Sequence, residues 1–270
     1  MLPGPGLRFA RFAPDAALRG VVESYWTLDV VRPPATVVVL PDGLIDLTFT
    51  VGARPAAHVT GALAGPERYV HDRPVGLVGV SLEPGAAPAV LGVDVAALPG
   101  GWTPLATVIG PVADELAARV AAATPGPPRL ALLDTFLAAR LRQRDSRSPD
   151  DRVTGALGAI LARAGDVDVG RLARDSAASP RHLSRLFDVW IGFGPKRLAR
   201  IVRVQAALRR LLEEPEASLA VLAAELGFAD HAHLAREVRE LTGEPPSALA
   251  RRLRADDPAV SFKRPADPSP

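Results

Sequence analysis

The 270-residue sequence predicts an α+β chain of two domains. Residues 1–143 read as a β-rich barrel or sandwich with flanking helices. Residues 152–254 read as an all-α double helix–turn–helix joined by a long linker helix. Three observations predict this. Short β-branched runs bounded by proline and glycine occupy residues 7–110. From residue 111 the apolar period becomes that of helices. Between residues 169 and 238 a short helix, a tight turn and an amphipathic helix occur twice.

In chain order, Val21–Leu28, Thr36–Leu40 and Leu44–Val51 are the first expected strands. Pro41-Asp42-Gly43 makes the turn between two of them, because proline presets φ and glycine accepts a positive one. Gly76–Leu82 is a further strand, stopped by Glu83-Pro84-Gly85. Pro111–Ala123 is a helix, with proline in its first turn and Asp114 and Glu115 near its positive end. After a break at 124–128, Leu130, Leu133, Phe136, Leu137 and Leu141 form one apolar stripe. The stripe is either a packing face inside its own domain or the seam of a homodimer. Residues 144–151 are polar and charged, and are expected to link the domains. Residues 255–270 carry four prolines and are expected to be a disordered tail.

Composition narrows the function. Hydrophobic residues are 48% and charged residues 23%, a globular balance. There is no cysteine, which excludes disulfides, thiolate zinc sites, iron–sulfur clusters and a cysteine nucleophile. Neither a membrane-length apolar stretch nor a secretion signal is visible, so a soluble cytoplasmic protein without a membrane partner is expected. Charge is unevenly spread. Residues 1–150 carry 13 basic and 14 acidic side chains, but 181–210 is net +7 and 211–244 net −6. The basic block, with Lys196, Arg197 and Arg200 at its centre, reads either as a phosphate footprint or as a solvated helix face.

The two repeated units give that block a shape. In the first, Val169–Ser176 is a short helix carrying Leu172 and Ala173 inward, and Ala177-Ala178 turns the chain. Ser179 then N-caps a helix that begins at Pro180 and exposes Arg181, Ser184 and Arg185 opposite its buried leucines. In the second, Leu219–Leu226 is followed by Gly227-Phe228 and a helix exposing His231 and Arg236. Between them Gly192-Phe-Gly-Pro195 opens a helix to about Leu212. Its length of about 25 Å, plus the offset of each unit, suits successive major-groove turns about 34 Å apart.

Residues 152–252 resemble the AraC/XylS-type DNA-binding domain. The resemblance lies in Leu172-Ala173, Ser179–Phe187, Gly192–Pro195, Arg203, Ala206, Leu211-Leu212, Leu222–Phe228, Asp230, His233–Arg236 and Gly243–Pro246. It implies double-stranded DNA as partner, RNA polymerase as a further contact, and both second helices in the major groove. The readers would be Arg181, Ser184 and Arg185, then His231, Ala232 and Arg236. Ser176 and Ala178 stand where that family packs larger apolar residues, so the first turn is expected to be loosely packed. Ala232 and Ala235 replace polar residues, so the first unit is expected to carry most of the affinity. Val21–Trp26, Leu40–Asp46 and Gly79–Ala86 resemble the β-rich sensory domain of a subgroup of AraC-like regulators with unassigned ligand. That implies sensing or assembly.

Other chemistry is thin. His231 and His233 face nearly opposite ways on a helix. His58 and His71, with Asp42, Asp46, Glu67 and Asp72 nearby in sequence, admit an alternative reading: a metal-dependent cupin-like enzyme fused to a DNA-binding module. Tyr25, Trp26 and Trp102, with Asp46, His58 and His71, are candidates for a small-molecule effector pocket. No phosphate loop or nucleophile elbow occurs, and no cofactor is implied. The sequence reads as a transcription regulator rather than an enzyme.

Overall fold

A computed structural model describes residues 6–143, 148–214, 216–255 and 260–261. Nine strands are present among these: β1 Leu7–Phe12, β2 Val22–Val30, β3 Ala35–Val39, β4 Ile45–Val51, β5 Ala56–Thr60, β6 Glu67–His71, β7 Val75–Leu82, β8 Trp102–Pro104 and β9 Val260–Ser261. The helices of the first half are α1 Ala87–Leu91, α2 Ala106–Ile109, α3 Val112–Ala122 and α4 Pro127–Gln143. Those of the second are α5 Asp151–Ala162, α6 Val169–Asp175, α7 Pro180–Trp190, α8 Pro195–Glu213, α9 Leu219–Glu225, α10 His231–Thr242 and α11 Pro246–Arg254. A β-rich region followed by a helical one is the architecture the sequence predicts.

Six strands form one sheet in the order β1-β2-β7-β4-β5-β8, and a smaller sheet runs β6-β3-β9. Successive residues of a strand point to opposite faces, so each strand of the large sheet serves two environments. Tyr25, Leu47, Phe49, Val59, Val78 and Val80 belong to an apolar core shared with α1, α3 and α4. Leu28 and Leu77 instead meet Val37 of the small sheet in a second core. The stripe on α4 joins the first core. Leu133 and Leu137 are fully covered within the chain, so the homodimer seam built on them is not available.

Five strands lie where the sequence predicts none: β1, β5, β6, β8 and β9. Their sequences explain it. β6 (Glu-Arg-Tyr-Val-His) is half exposed throughout, β5 is short and alanine-rich, and β1 is an edge strand with charged residues among its apolar ones. Of the tail expected to be disordered, Val260–Ser261 pair parallel to Val38 and Val39, and Val260 is buried. Of the linker, residues 144–147 lie outside the described residues, while Asp150 N-caps α5 through the amide of Arg152.

The two halves share a core. Val38 and the following Leu40 are packed in the cluster formed by α5 to α11. Gln205 of α8 donates from Nε2 to the Pro41 carbonyl at 2.6 Å, and Arg197 to the Ala64 carbonyl at 2.8 Å.

Candidate DNA-binding interface and inter-sheet cleft

The first helix–turn–helix unit forms as its residues dictate. Leu172 and Ala173 are buried on α6, and the turn is made by Ala177 in the left-handed region at φ 48°. Ser179 Oγ accepts from the His182 amide at 3.2 Å, and Pro180 occupies the first helical position. Leu183 and Phe187 are fully buried, which leaves Arg181 and Arg185 exposed and Ser184 half-exposed. Beside Ser176, the small residues Gly155 and Ala159 leave a groove of about 360 Å³ between α5 and α6. The His182 ring lies between Arg152 of α5, at 3.1 Å from Nε2, and Arg185, at 3.4 Å from Nδ1. Arg152, which also lies 3.7 Å from Asp150, is thereby brought to the same ring as Arg185. Sequence spacing could not find it, because it reaches that ring only through the packing of α5 on α7.

The second unit repeats the design with different chemistry. Gly227 turns the chain at φ 71°, and Phe228 plugs the core beneath Arg203, whose guanidinium sits 5.3 Å from the ring centre. Asp230 caps α10 by accepting from the His233 amide at 2.6 Å, a bond that holds its carboxyl below the usual range. His231 and Arg236 are exposed and Ala232 half-exposed.

The rod between them uses much of its charge internally. Arg200, expected among the phosphate contacts, is instead bound to Glu237 at 2.7 Å and Glu240 at 2.7 Å, tying α8 to α10. Arg210 pairs with Glu214 and Glu225, while Arg197 reaches the β-rich half. Lys196 is exposed.

The residues expected to line an effector pocket divide. Trp26, Asp46, His71 and Trp102, with Thr48, Thr60, Tyr69 and β3 residues Val37 and Val39, line a cleft of about 40 Å³ between the sheets. His58 stacks on Trp102 at 4.9 Å. Tyr25 lies outside the cleft. As the neighbour of Trp26 on β2 it points to the opposite face, where its hydroxyl donates to Asp134 at 2.5 Å beneath α4. Burial, then that carboxylate, push its phenol well above the usual range. Tyr69, two residues before His71 on β6, went unread for want of the strand. Among the described residues no three His, Asp or Glu side chains converge as metal ligands.

Residues 172–252 match a helix–turn–helix domain family, and residues 10–101 match a domain family of unknown function, DUF6597. A transcriptional regulator of Mycobacterium tuberculosis, Rv1931c, is 42% identical over 60 residues, which are 22% of this chain and 23% of that protein. Residues 172–252 carry a helix–turn–helix domain. Another relative, the regulator GlxA of Rhizobium meliloti, is 36% identical over 86 residues, or 32% of this chain. The match spans about a quarter of each relative's length, 23% and 26%. Among solved structures, ToxT of Vibrio cholerae O395 superposes with a TM-score of 0.44 at 9% identity, over 92% of this chain and 99% of that one. A Chromobacterium violaceum transcriptional regulator with an AraC-type DNA-binding domain gives 0.35 at 24% identity, over 39% of this chain and 93% of its own. No helix among the described residues is long and apolar enough to cross a membrane.

Proposed function

We propose that the protein is a sequence-specific transcription regulator that grips double-stranded DNA through α7 and α10 and reports on a small molecule held between its sheets. The observation that carries the DNA reading is the exposed cluster of Arg181, Ser184 and Arg185 beside Arg152. Among the described residues neither reader arginine pairs with a carboxylate. Guanidiniums presented by the first turns of such a helix suit phosphate oxygens and guanine edges. The 19-residue rod spans about 28 Å, which separates the two readers along one face of a duplex.

The sensing reading is supported by β3. Its Val37 and Val39 face the cleft, whereas Val38 and Leu40 sit in the core of the DNA-binding half. A molecule that draws the sheets together moves the strand that seats the rod. Occupancy of the cleft then biases the arrangement of the two readers, a shift of population set by differential binding.

Selection of bound fragments from the host genome tests the DNA reading. The expected result is a recurrent shared sequence in fragments held by the wild-type chain and its loss with Arg185→Glu. Enrichment with no shared sequence overturns it.

A further inference from the structure

The inter-sheet cleft has a definite chemistry. Its floor is the indole of Trp26, which lies flat across β7 because residue 79 is glycine. A Cβ at Gly79 would stand 2.0 Å from the indole carbons. Trp26 Nε1 donates to Asp46 Oδ1 at 3.3 Å, and Ser81 Oγ donates to the same oxygen at 2.5 Å. Oδ2 takes neither bond. The walls are aromatic: Trp102 stacks with Tyr69 at 5.1 Å and with His58 at 4.9 Å, and His71 tilts against it at 6.2 Å. Trp102 is partly exposed, at the mouth.

Among the described residues Asp46 is the one carboxylate lining the cleft, and Arg11, whose charge acts on it from outside the lining, is itself paired with Glu23 at 3.5 Å. Burial holds both His58 and His71 below the usual histidine range, so neither opposes a cation at neutral pH. Burial also raises the Asp46 carboxyl, against the hydrogen bonds from Ser81 and Trp26 and the charge of Arg11, which favour its ionised form.

We propose that this cleft binds an organic cation, an alkylammonium head group seated on Trp26 with its charge facing Asp46. This rests on the reading of the cleft as the sensory site and gives its ligand a class. Aromatic faces attract a cation, and a buried charge requires the opposite charge at its side. The volume of about 40 Å³ holds roughly three water-sized groups, enough for an ammonium head with its chain leaving past Trp102. A sugar ring needs more room and more donors. An anion meets Asp46.

The test uses the full chain with choline and propylammonium as probes. Their controls are 3,3-dimethylbutanol, the uncharged counterpart of choline, together with propionate and arabinose. Tryptophan fluorescence and melting temperature report binding, and a labelled operator fragment reports DNA affinity. The expected result is a saturable response to an ammonium probe and none to the uncharged counterpart. Asp46→Asn, which keeps an oxygen for Ser81 and Trp26, weakens it about a hundredfold. Trp102→Leu, at the mouth, weakens it about tenfold. Equal binding of the uncharged compound, retained affinity in Asp46→Asn, or no response to either ammonium at millimolar concentration overturns the proposal. If propionate or arabinose binds instead and shifts DNA affinity, the cation class falls and the sensing reading stands. Probe binding that leaves DNA affinity unchanged removes the sensing reading and leaves the cation site.

Discussion

At the scale of single residues, the two readers differ in what surrounds their arginines. Arg185 stands one turn from Arg181 on α7, and the His182 ring separates it from Arg152. Arg236 stands on a helix capped by Asp230, the carboxylate its charge acts on. A phosphate approaching Arg185 meets the added positive potential of Arg181, whereas one approaching Arg236 meets a field offset by Asp230. Charge reversal at Arg185 is therefore expected to weaken DNA binding about tenfold more than reversal at Arg236, measured by fluorescence anisotropy at one fixed salt concentration. The opposite order overturns the asymmetry. The cap at Ser179, the turn at Gly227 and the buried Leu183 and Phe187 were legible from residue type and spacing, because their causes are local. The engagement of Arg200 with Glu237 and Glu240 was not, since its partners lie 37 and 40 residues away.

At the scale of elements, β3 is the joint on which both halves depend. A five-residue strand that is apolar on both faces is satisfied only by two separate cores, and it finds them: Val37 in the inter-sheet core, Val38 and Leu40 in the helical one. The sequence shows a run of β-branched residues at 36–39 but not that its alternate members part company, because that depends on where the helices dock. The helices themselves were readable from their period, while β6 and β8 were missed for lack of any apolar run. Leu40→Ala removes a side chain that is 2% exposed and is expected to cost about 2–5 kcal/mol. The loss falls on the contact between halves, so urea unfolding should separate into two transitions, seen by far-ultraviolet circular dichroism and by tryptophan fluorescence. One unchanged transition overturns the role given to β3.

At the scale of the whole molecule, the net charge of +2 conceals a division of labour. The β-rich half is nearly neutral, and two of the eight basic residues of 181–210, Arg200 and Arg210, are engaged inside the helical half by Glu214, Glu225, Glu237 and Glu240. At the first unit Arg181 and Arg185 take no carboxylate partner among the described residues, Arg152 stands 3.7 Å from Asp150, and Lys196 is exposed at the start of the rod. A footprint of about four phosphates releases as many counterions, so the logarithm of the binding constant should fall with the logarithm of salt at a slope of about −3.6. Between 50 and 200 mM salt that is a loss of about a hundredfold in affinity. A filter-binding or anisotropy series on one operator fragment measures it, and Arg185→Ala should flatten the slope by about one. A slope near −7 would instead mean that the whole basic block reaches the backbone, breaking the Arg200 and Arg210 ion pairs on DNA. Affinity flat in salt would leave these cations without a role in binding.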